Sequence, residues 1–535
     1  MSVGASAPAP LRSGCYLLAL ACWIAASPPG LLPGAGLLVL PGSMAFYAGA
    51  TTSRRPYRLA YAIGLVHFLW FSWSVRHVFF AGYVAIGVAG AVYPTLVTLW
   101  TRGLPAILPR PLAFALGVTA TEWVRAHAPE ICYPHNQPAH ALYLFPGLLG
   151  GARWGGEVLV NFLVAGLGAA LVDLARSWRV AQPSWNRAWG TLLGFAILWA
   201  GTAVVAPPGS APPREGAAPV RVVAVEPGFD PGFQRDARYT AGLLQERLLQ
   251  PTREALERHP GVDLVLWPET SLPLAVEERG ARVDWRDSRG LPERWWTPGP
   301  TRTLLVAGSL LVREDGSRTP AAVLVDAAGR VRGVHEKLAL VPAGERIPFL
   351  SWLPAAWQAA LLDAVRARMG LAPDFRPGTP RPPLATAAGV SFGALLCYDN
   401  AFDDVVAGHV ARGARLLAVL SNESWYRGGA ELEQMVAMSV FRCLETATPM
   451  VRSTVDGRSV AIDAAGRIVQ SLPAAGNPGA RVLLAELVPG PGRLPPLAWL
   501  TRALALCCLG SAIFLLPHLG RAWARLRSTR SDRGR

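Results

Sequence analysis

Apolar residues dominate two parts of this chain and alternate with polar ones in a third. From Leu17 to about Ala206, hydrophobic runs follow one another with few charges between them. They cover 14–27, 31–51, 58–75, 82–100, 108–124, 157–175 and 188–206, and another covers 497–516. A helix needs about 20 apolar residues to cross a bilayer core, so the pattern predicts a polytopic α-helical membrane bundle of about eight spans. Ala25-Ala26-Ser27 resembles a signal-peptide cleavage site. Pro28 and Pro29, followed at once by another apolar run, predict a tight helical hairpin with a retained first helix instead.

Between about Pro212 and Pro491 the apolar segments become short and punctuated, as in an α/β domain. Ala218–Val225, Val262–Trp267, Thr303–Val312, Val390–Leu396 and Leu416–Ser421 read as buried strands, with helices over Thr240–Arg258 and Glu431–Thr446. Val323–Val331 (VLVDAAGRV) and Val460–Ile468 (VAIDAAGRI) are nearly one peptide, each fitting a strand pair that turns at a glycine of positive φ. Two copies are too few for a solenoid and predict a sheet used twice in similar geometry. The expected organisation is a helical region over 1–210, an α/β domain over 211–492, and a last span with an arginine-rich tail over 493–535.

Composition agrees with two solvents. The 535 residues are 51% hydrophobic and only 16% charged, with mean hydropathy +0.29, whereas soluble domains carry about 25% charged residues. The net charge of +15 comes from 51 Lys and Arg against 36 Asp and Glu, and much of it lies in short connections between apolar runs. Arg54, Arg55 and Arg58, then Arg102 and Arg110, then Arg176, Arg179 and Arg187 follow the second, fourth and sixth runs. Arg521, Arg525, Arg527, Arg530, Arg533 and Arg535 follow the eighth. All four segments share one side if both termini are cytoplasmic. The α/β domain then lies outside the cytoplasm, in a bacterial periplasm. The excess charge therefore reads as orientation, and no nucleic-acid partner is expected. Of the seven cysteines, Cys15, Cys22, Cys507 and Cys508 lie in apolar runs and Cys132 in an external loop, leaving Cys397 and Cys443 in the domain. No disulfide framework is apparent.

Three strand ends carry chemistry: Trp267-Pro268-Glu269-Thr270, His335-Glu336-Lys337-Leu338 and Cys397-Tyr398-Asp399-Asn400. Sites in open α/β sheets are built at such ends. Singly, a Glu or Lys there is an ordinary solvated residue and the Cys is core filler. Together they are chemically complete without a histidine. A thiol becomes a nucleophile when its proton is removed beside a cation. Glu269 could move the proton, and Lys337 could supply the cation and steady an oxyanion.

WPETSLP, HEKLALVPAGERIP and LLCYDNAF resemble, in order, the three blocks of the nitrilase (carbon–nitrogen hydrolase) superfamily. With many apolar runs before the domain and one after it, the chain resembles the apolipoprotein N-acyltransferase family. The resemblance implies a nitrilase-like αββα sandwich on two sheets and ping-pong acyl transfer from a phospholipid to the α-amino group of a lipoprotein's diacylglyceryl-cysteine, in the bacterial inner membrane. It implies Cys397 as nucleophile, Glu269 as general base and acid, Lys337 as oxyanion stabiliser aided by the Tyr398 N–H, and Glu345 as a supporting residue. Trp267, Tyr398 and Trp425 match aromatic positions flanking the acyl and nucleophile pocket, and Asp399 belongs with these substrate-binding positions. No cofactor or metal is implied.

The chain departs from that pattern in places. Asp399 stands where the family has Glu, Ala343 and Arg346 replace aromatic residues, and the loop Ala126–Tyr143 lacks the usual aromatics. His135 and His140 in that loop, with no carboxylate partner in the pattern, read as solvent-exposed rather than as metal ligands. Trp352, Leu353, Trp357, Leu361 and Leu362 have one-face helical spacing, fitting either core packing or a membrane-dipping lid. Trp295-Trp296 could touch lipid or cap the fold. A membrane-tethered amidase and a catalytically silent scaffold are the competing readings. The spans give a water-soluble substrate no task, and a scaffold needs no triad. Each role has a residue within one chain, so a monomer is the simplest expectation.

Overall fold

The computed structural model describes residues 9–103, 108–178, 184–205, 218–229, 242–272, 274–280, 282–286, 302–369, 374–473 and 479–499, with 502, 503 and 506. The first seven predicted apolar runs each coincide with helix. These are α1 (Ala9–Ala26), α2 (Val39–Thr52), α3 (Pro56–Phe71), the short α4 (Val75–Val78), α5 (Phe80–Gly90), α6 (Val92–Gly103), α7 (Arg110–His127), α8 (Gly150–Ser177) and α9 (Ser184–Val204). By length and composition, Phe80–Gly103 and Gly150–Ser177 are long and apolar enough to cross a membrane. The predicted hairpin of the first two runs is present. Trp23 packs on Phe46 with ring centroids 5.0 Å apart, and Tyr16 lies over Gly49. Most of the eighth run, the arginine tail and Trp295-Trp296 lie outside the described residues.

The α/β domain consists of two sheets. The first contains β1 (Val220–Glu226), β2 (Leu264–Trp267), β3 (Ala275–Arg279), β4 (Arg282–Trp285), β5 (Leu304–Val312), β6 (Arg318–Val325), β7 (Val331–Glu336) and β14 (Arg481–Leu487). The second contains β8 (Leu384–Ala385), β9 (Ser391–Leu396), β10 (Leu416–Ser421), β11 (Met450–Thr454), β12 (Val460–Ile462) and β13 (Ile468–Ser471), ordered β13-β12-β11-β10-β9-β8. Each sheet has a parallel centre, β1-β2-β5 and β9-β10-β11, continued by an antiparallel hairpin, β6-β7 or β12-β13, and the first sheet carries a second hairpin, β3-β4, beside β5. The two DAAGR peptides are the turns of those hairpins. Asp326 and Asp463 each accept two backbone N–H bonds, and Gly329 and Gly466 take φ of 78° and 75°. Glycine takes a left-handed φ without the steric cost that a Cβ brings.

Strand side chains alternate between faces, which sets the layers. Val222, Ala224, Leu264, Leu266 and Val306 meet Phe392, Ala394, Leu396, Leu416 and Leu420 between the sheets. Val223, Val225, Val265 and Leu305 face the helix α10 (Gln250–Arg258) on one outside. On the other, Leu395, Leu417, Val419 and Met450 face α13 (Glu431–Thr446). Two further helices, α11 (Ala355–Met369) and α12 (Asp403–Ala411), complete the domain. This is the αββα sandwich expected.

Helix α13 is covered in turn by the helical region, for Leu149, Ala152, Val160 and Val164 share its core. A buried ionic cluster crosses this contact. The helix α8 breaks at Gly155-Gly156, and the N–H of Glu157, freed by the break, donates to Glu445 Oε1 at 2.7 Å. Arg442 pairs with Glu157 and Glu445, both at 2.8 Å, and His140 bonds Glu157 at 3.0 Å. His140 is thus buried in this cluster and His135 is buried against Tyr133 and Tyr398, correcting the expectation of exposed loop residues. The carboxylate partner of His140, Glu157, comes from the next helix rather than from the loop, so the loop pattern does not reveal it. Removing one member of a buried ionic group costs roughly 3–5 kcal/mol, because the remaining charge is stranded. Arg442→Met should lower the thermal unfolding midpoint of the detergent-solubilised chain by that much stability, and adding Glu157→Gln and Glu445→Gln should recover part of the loss.

Candidate active site

The three predicted strand ends converge. Glu269 follows β2, Lys337 follows β7 and Cys397 follows β9. Lys337, wholly buried, places Nζ 2.8 Å from Glu269 Oε1 and 2.6 Å from Glu345 Oε1. The second oxygen of Glu269 accepts the Asn422 N–H at 3.2 Å, and that of Glu345 accepts the Val341 N–H at 2.9 Å. Each carboxylate is thus held at both ends. The Glu269 turn crosses β5 at Gly308, where a Cβ would lie 2.5 Å from Glu269 Cα, so only glycine allows the approach.

Cys397 takes φ of 46°, a region that residues with a Cβ enter at a cost of about 1–3 kcal/mol. The same left-handed conformation occurs at Thr270, beside Glu269, and at Ala343, two residues before Glu345. Backbone strain therefore gathers where the three polar side chains meet. Within the turn Cys397–Ala401, Cys397 keeps some exposure while Tyr398, Asp399, Asn400 and Ala401 are buried. Asp399 explains how the turn is held. Its Oδ1 accepts the N–H groups of Leu338 and Ala339 at 3.0 and 2.7 Å, and its Oδ2 accepts that of Leu396 at 3.1 Å. The carboxylate therefore ties the Lys337 loop to the Cys397 turn. Asp399 is a positioning residue, not the substrate-facing one expected, because all the room around it is taken by backbone amides.

The aromatic residues divide. Tyr398 is buried, gives its hydroxyl to Cys132 O at 2.9 Å and stacks near His135 with centroids 5.9 Å apart. Trp425 is half-buried in the short turn Ser424–Tyr426 after β10. Trp267 instead enters the core on the α10 side of its sheet, with its indole N–H on Thr252 Oγ1 at 3.0 Å. It supports the strand that carries Glu269 and was wrongly expected at the pocket, since β-strand alternation turns it to the opposite face. Trp352 ends a short turn, Leu350–Trp352, and Trp357 lies in the following helix α11, and neither is core. These indoles are 75% and 67% exposed, which removes the packing alternative.

An apolar cavity of about 240 Å³ adjoins the site. Its walls are α4–α6, Phe68 of α3, Arg125 of α7, the loop with Cys132, Tyr133 and His135, and the domain residues Val341–Gly344, Tyr398 and Tyr426. Sequence reasoning missed Tyr426, although it follows Trp425, and it missed Asn422, whose position at the end of β10 obeys the strand-end logic used for the triad. For a metal, the described residues offer His127, Asp403 and Asp404 at ligand spacing, but Asp403 already pairs with His127 at 2.8 Å and Arg502 at 3.3 Å.

Electrostatics set the resting state. Burial opposes the Lys337 charge, yet Glu269 and Glu345 outweigh it and hold the ammonium well above its ordinary value. Burial raises Glu345, with Lys337 opposing. Low-polarity surroundings push the Cys397 thiol up to about 12, Glu269 adding to the rise and Lys337 opposing it. The resting sulfur is therefore a neutral thiol with a carboxylate at hand. Only the thiolate is alkylated, so peptide-resolved iodoacetamide labelling of Cys397 should quicken about tenfold per pH unit across neutral and mildly alkaline pH without a plateau. Lys337→Met removes the opposing cation and should slow labelling further at each pH.

Residues 220–490 match the carbon-nitrogen hydrolase family and residues 18–170 the apolipoprotein N-acyltransferase N-terminal domain. A relative from Azotobacter vinelandii, an apolipoprotein N-acyltransferase, is 30% identical over 446 residues, which are 80% of this chain and 75% of that one. Another with the same name, from Geobacter metallireducens, is 26% identical over 460 residues, 82% of each chain. An amidase of the nitrilase superfamily from Nesterenkonia AN1 aligns over 51% of this chain and 92% of its own at 19% identity, with a TM-score of 0.33. With both segments matched in order and relatives aligned across most of its length, this chain belongs to the apolipoprotein N-acyltransferase family of carbon–nitrogen hydrolases.

Proposed function

We propose that this chain transfers an acyl group from a phospholipid to the N-terminal α-amino group of a diacylglyceryl-cysteine lipoprotein, through a thioester on Cys397. The observation that carries the reading is the Glu269–Lys337–Glu345 cluster beside the strained Cys397 turn, next to an apolar cavity shared with the helical region. Glu269 takes the thiol proton as sulfur attacks the ester carbonyl. Lys337 Nζ and the Tyr398 N–H receive the developing oxyanion. Collapse breaks the ester C–O bond, and the lysophospholipid leaves with the proton from Glu269. The lipoprotein amine then attacks the thioester and gives its proton to Glu269. An amide forms, the C–S bond breaks, and the proton returns to sulfur. Glu345 holds Lys337 against Glu269 throughout. Trp425 flanks the pocket.

Both substrates are lipid-anchored, which suits residues 1–210 and 493–535 as eight spans with both termini cytoplasmic and residues 211–492 as a periplasmic domain. The arginine asymmetry of the connections supports this arrangement. One chain supplies every group in the scheme, so it works as a monomer in the inner membrane, without nucleic acid.

Purified chain incubated with acyl-labelled phospholipid should form a hydroxylamine-sensitive adduct on Cys397, which Cys397→Ser cannot form as a thioester. No adduct in the native chain would end the acyl-transfer reading, and release of the acyl group to water rather than to a diacylglyceryl peptide would favour a hydrolase. A reporter fused after Arg535 that works only in the cytoplasm should be active. Activity of a periplasm-only reporter there would overturn the span count.

A further inference from the structure

Behind the Cys397 turn runs a buried polar chain that the acyl-transfer scheme leaves unused. Arg452 of β11, Glu423 after β10, Ser439 of α13 and Asn400 of the turn itself all lack access to water. A guanidinium is costly in such a place unless its donors are used. Arg452 pairs with Glu423, and its Nη1 donates to Ser439 Oγ at 3.0 Å. Glu423 also accepts the Ser421 hydroxyl and the Arg458 N–H, each at 3.1 Å, which fixes it beside Asn422 at the end of β10.

Asn400 ends this chain. Its amide lies between the Cys397 carbonyl and the Arg452 guanidinium, and only one orientation sets a donor against the first and an acceptor against the second. In that orientation Nδ2 donates to Cys397 O at 2.7 Å, while Oδ1 accepts from Arg452 Nη1 at 2.7 Å and from Ser439 Oγ at 2.6 Å. A guanidinium on the amide oxygen polarises the amide and strengthens its N–H as a donor.

Cys397 O belongs to the same peptide group as the Tyr398 N–H. That group is planar, and in the trans form its two ends point in opposite directions, so neither turns without the other. The φ of 46° at Cys397 is a conformation that persists only where neighbours fix it. Asn400 holds the carbonyl end, and a hydrogen bond there also makes the N–H at the far end a better donor.

We infer that Asn400, oriented by Arg452 and Ser439, is a positioning residue that sets the Cys397–Tyr398 peptide so that the Tyr398 N–H faces the developing oxyanion. The inference rests on the acyl-transfer reading and deepens it. The oxyanion donor is aimed from behind, by a buried side chain that does not line the cavity.

The test compares two reactions of Cys397 in the full chain in neutral detergent. Acylation by labelled phospholipid develops an oxyanion, whereas alkylation by iodoacetamide, a displacement at a saturated carbon, does not. Asn400→Leu should slow adduct formation at saturating lipid by about tenfold to a hundredfold, at or below the loss that removing an oxyanion donor outright brings. The KM for lipid and the rate of iodoacetamide labelling should each stay within about twofold. Asn400→Asp keeps the shape of the side chain and its contact with Arg452 but sets an oxygen against Cys397 O, and it should lower the ratio of acylation to alkylation as far. Loss of both reactions together in both variants would make Asn400 a support of the fold and overturn the inference, as would acylation at the native rate. A long-chain aldehyde separates the inference from the reading beneath it. The Cys397 sulfur bonds to the aldehyde carbon as Glu269 takes the thiol proton, and the carbonyl oxygen becomes the oxyanion with no acyl group transferred. Aldehyde affinity that falls about tenfold in Asn400→Leu sustains the inference even where phospholipid gives the native chain no adduct. Equal aldehyde affinity in the native chain and the variant overturns it even where the adduct forms.

Discussion

One buried ammonium organises the site. Lys337 has no access to water, and moving such a charge out of water costs several kcal/mol unless it is paired and hydrogen-bonded. Two carboxylates, at 2.8 and 2.6 Å, supply that pairing. One cation cannot neutralise two anions, so the cluster retains negative character and depends on backbone N–H groups. Those of Asn422 and Val341 serve, and each comes from a loop after or beside a strand end. The positions of β2, β7 and β10 therefore all enter the energy of a single charge. Asp399 adds the last tie by binding the Lys337 loop to the Cys397 turn through three amides.

The helical region is part of the domain's structure. In a free-standing αββα sandwich both helix layers face solvent, but here α13 is buried between the second sheet and α8. Arg442 of the domain pairs with Glu157 of the helical region, and Glu445 accepts the Glu157 N–H, so buried charges on each side of that contact are satisfied across it. The loop after α7 has the same character. It gives Cys132 O to Tyr398, and Glu130 to Arg346 at 2.7 Å, one residue beyond Glu345. The pocket is thus shared, with most of its walls from the helical region and the rest from the domain, and its shape follows their docking.

Much of this was legible in the residues. Apolar runs and turn glycines report local structure, so seven helical segments, both DAAGR hairpins and the helix Glu431–Thr446 fell where the pattern put them. The strand-end rule found Glu269, Lys337 and Cys397 because it depends on topology that alternation reveals. It failed where partners are remote. The pattern does not say that Asp399 will be enclosed by amides from a loop 60 residues earlier, or that Trp267 faces α10. Two histidines in a polar loop resemble exposed ones until Glu157 of α8 meets His140 and the rings of Tyr133 and Tyr398 cover His135. Arg442, in an amphipathic helix, resembles a surface residue until the second face is covered. In each case burial by a distant element, invisible to local periodicity, decided the role.

A raised thiol and a transfer reaction are compatible within the proposed scheme. A preformed thiolate would be the better nucleophile, but it would also leave more readily from the thioester, exposing the acyl group to whichever acceptor arrives first. With the resting sulfur neutral, attack requires Glu269 to take the proton as the bond forms. The same carboxylate must then accept a proton from the incoming amine, whose ordinary pKa of about 8 leaves a usable neutral fraction near neutrality. Water, far weaker as a nucleophile than that amine, would need the same carboxylate and a path through an apolar cavity. The cavity walls contributed by α4–α6 lower its local concentration where the acyl carbonyl would sit. Partition toward the amine then follows from exclusion and from a single shared base, with no further residue needed to tell amine from water.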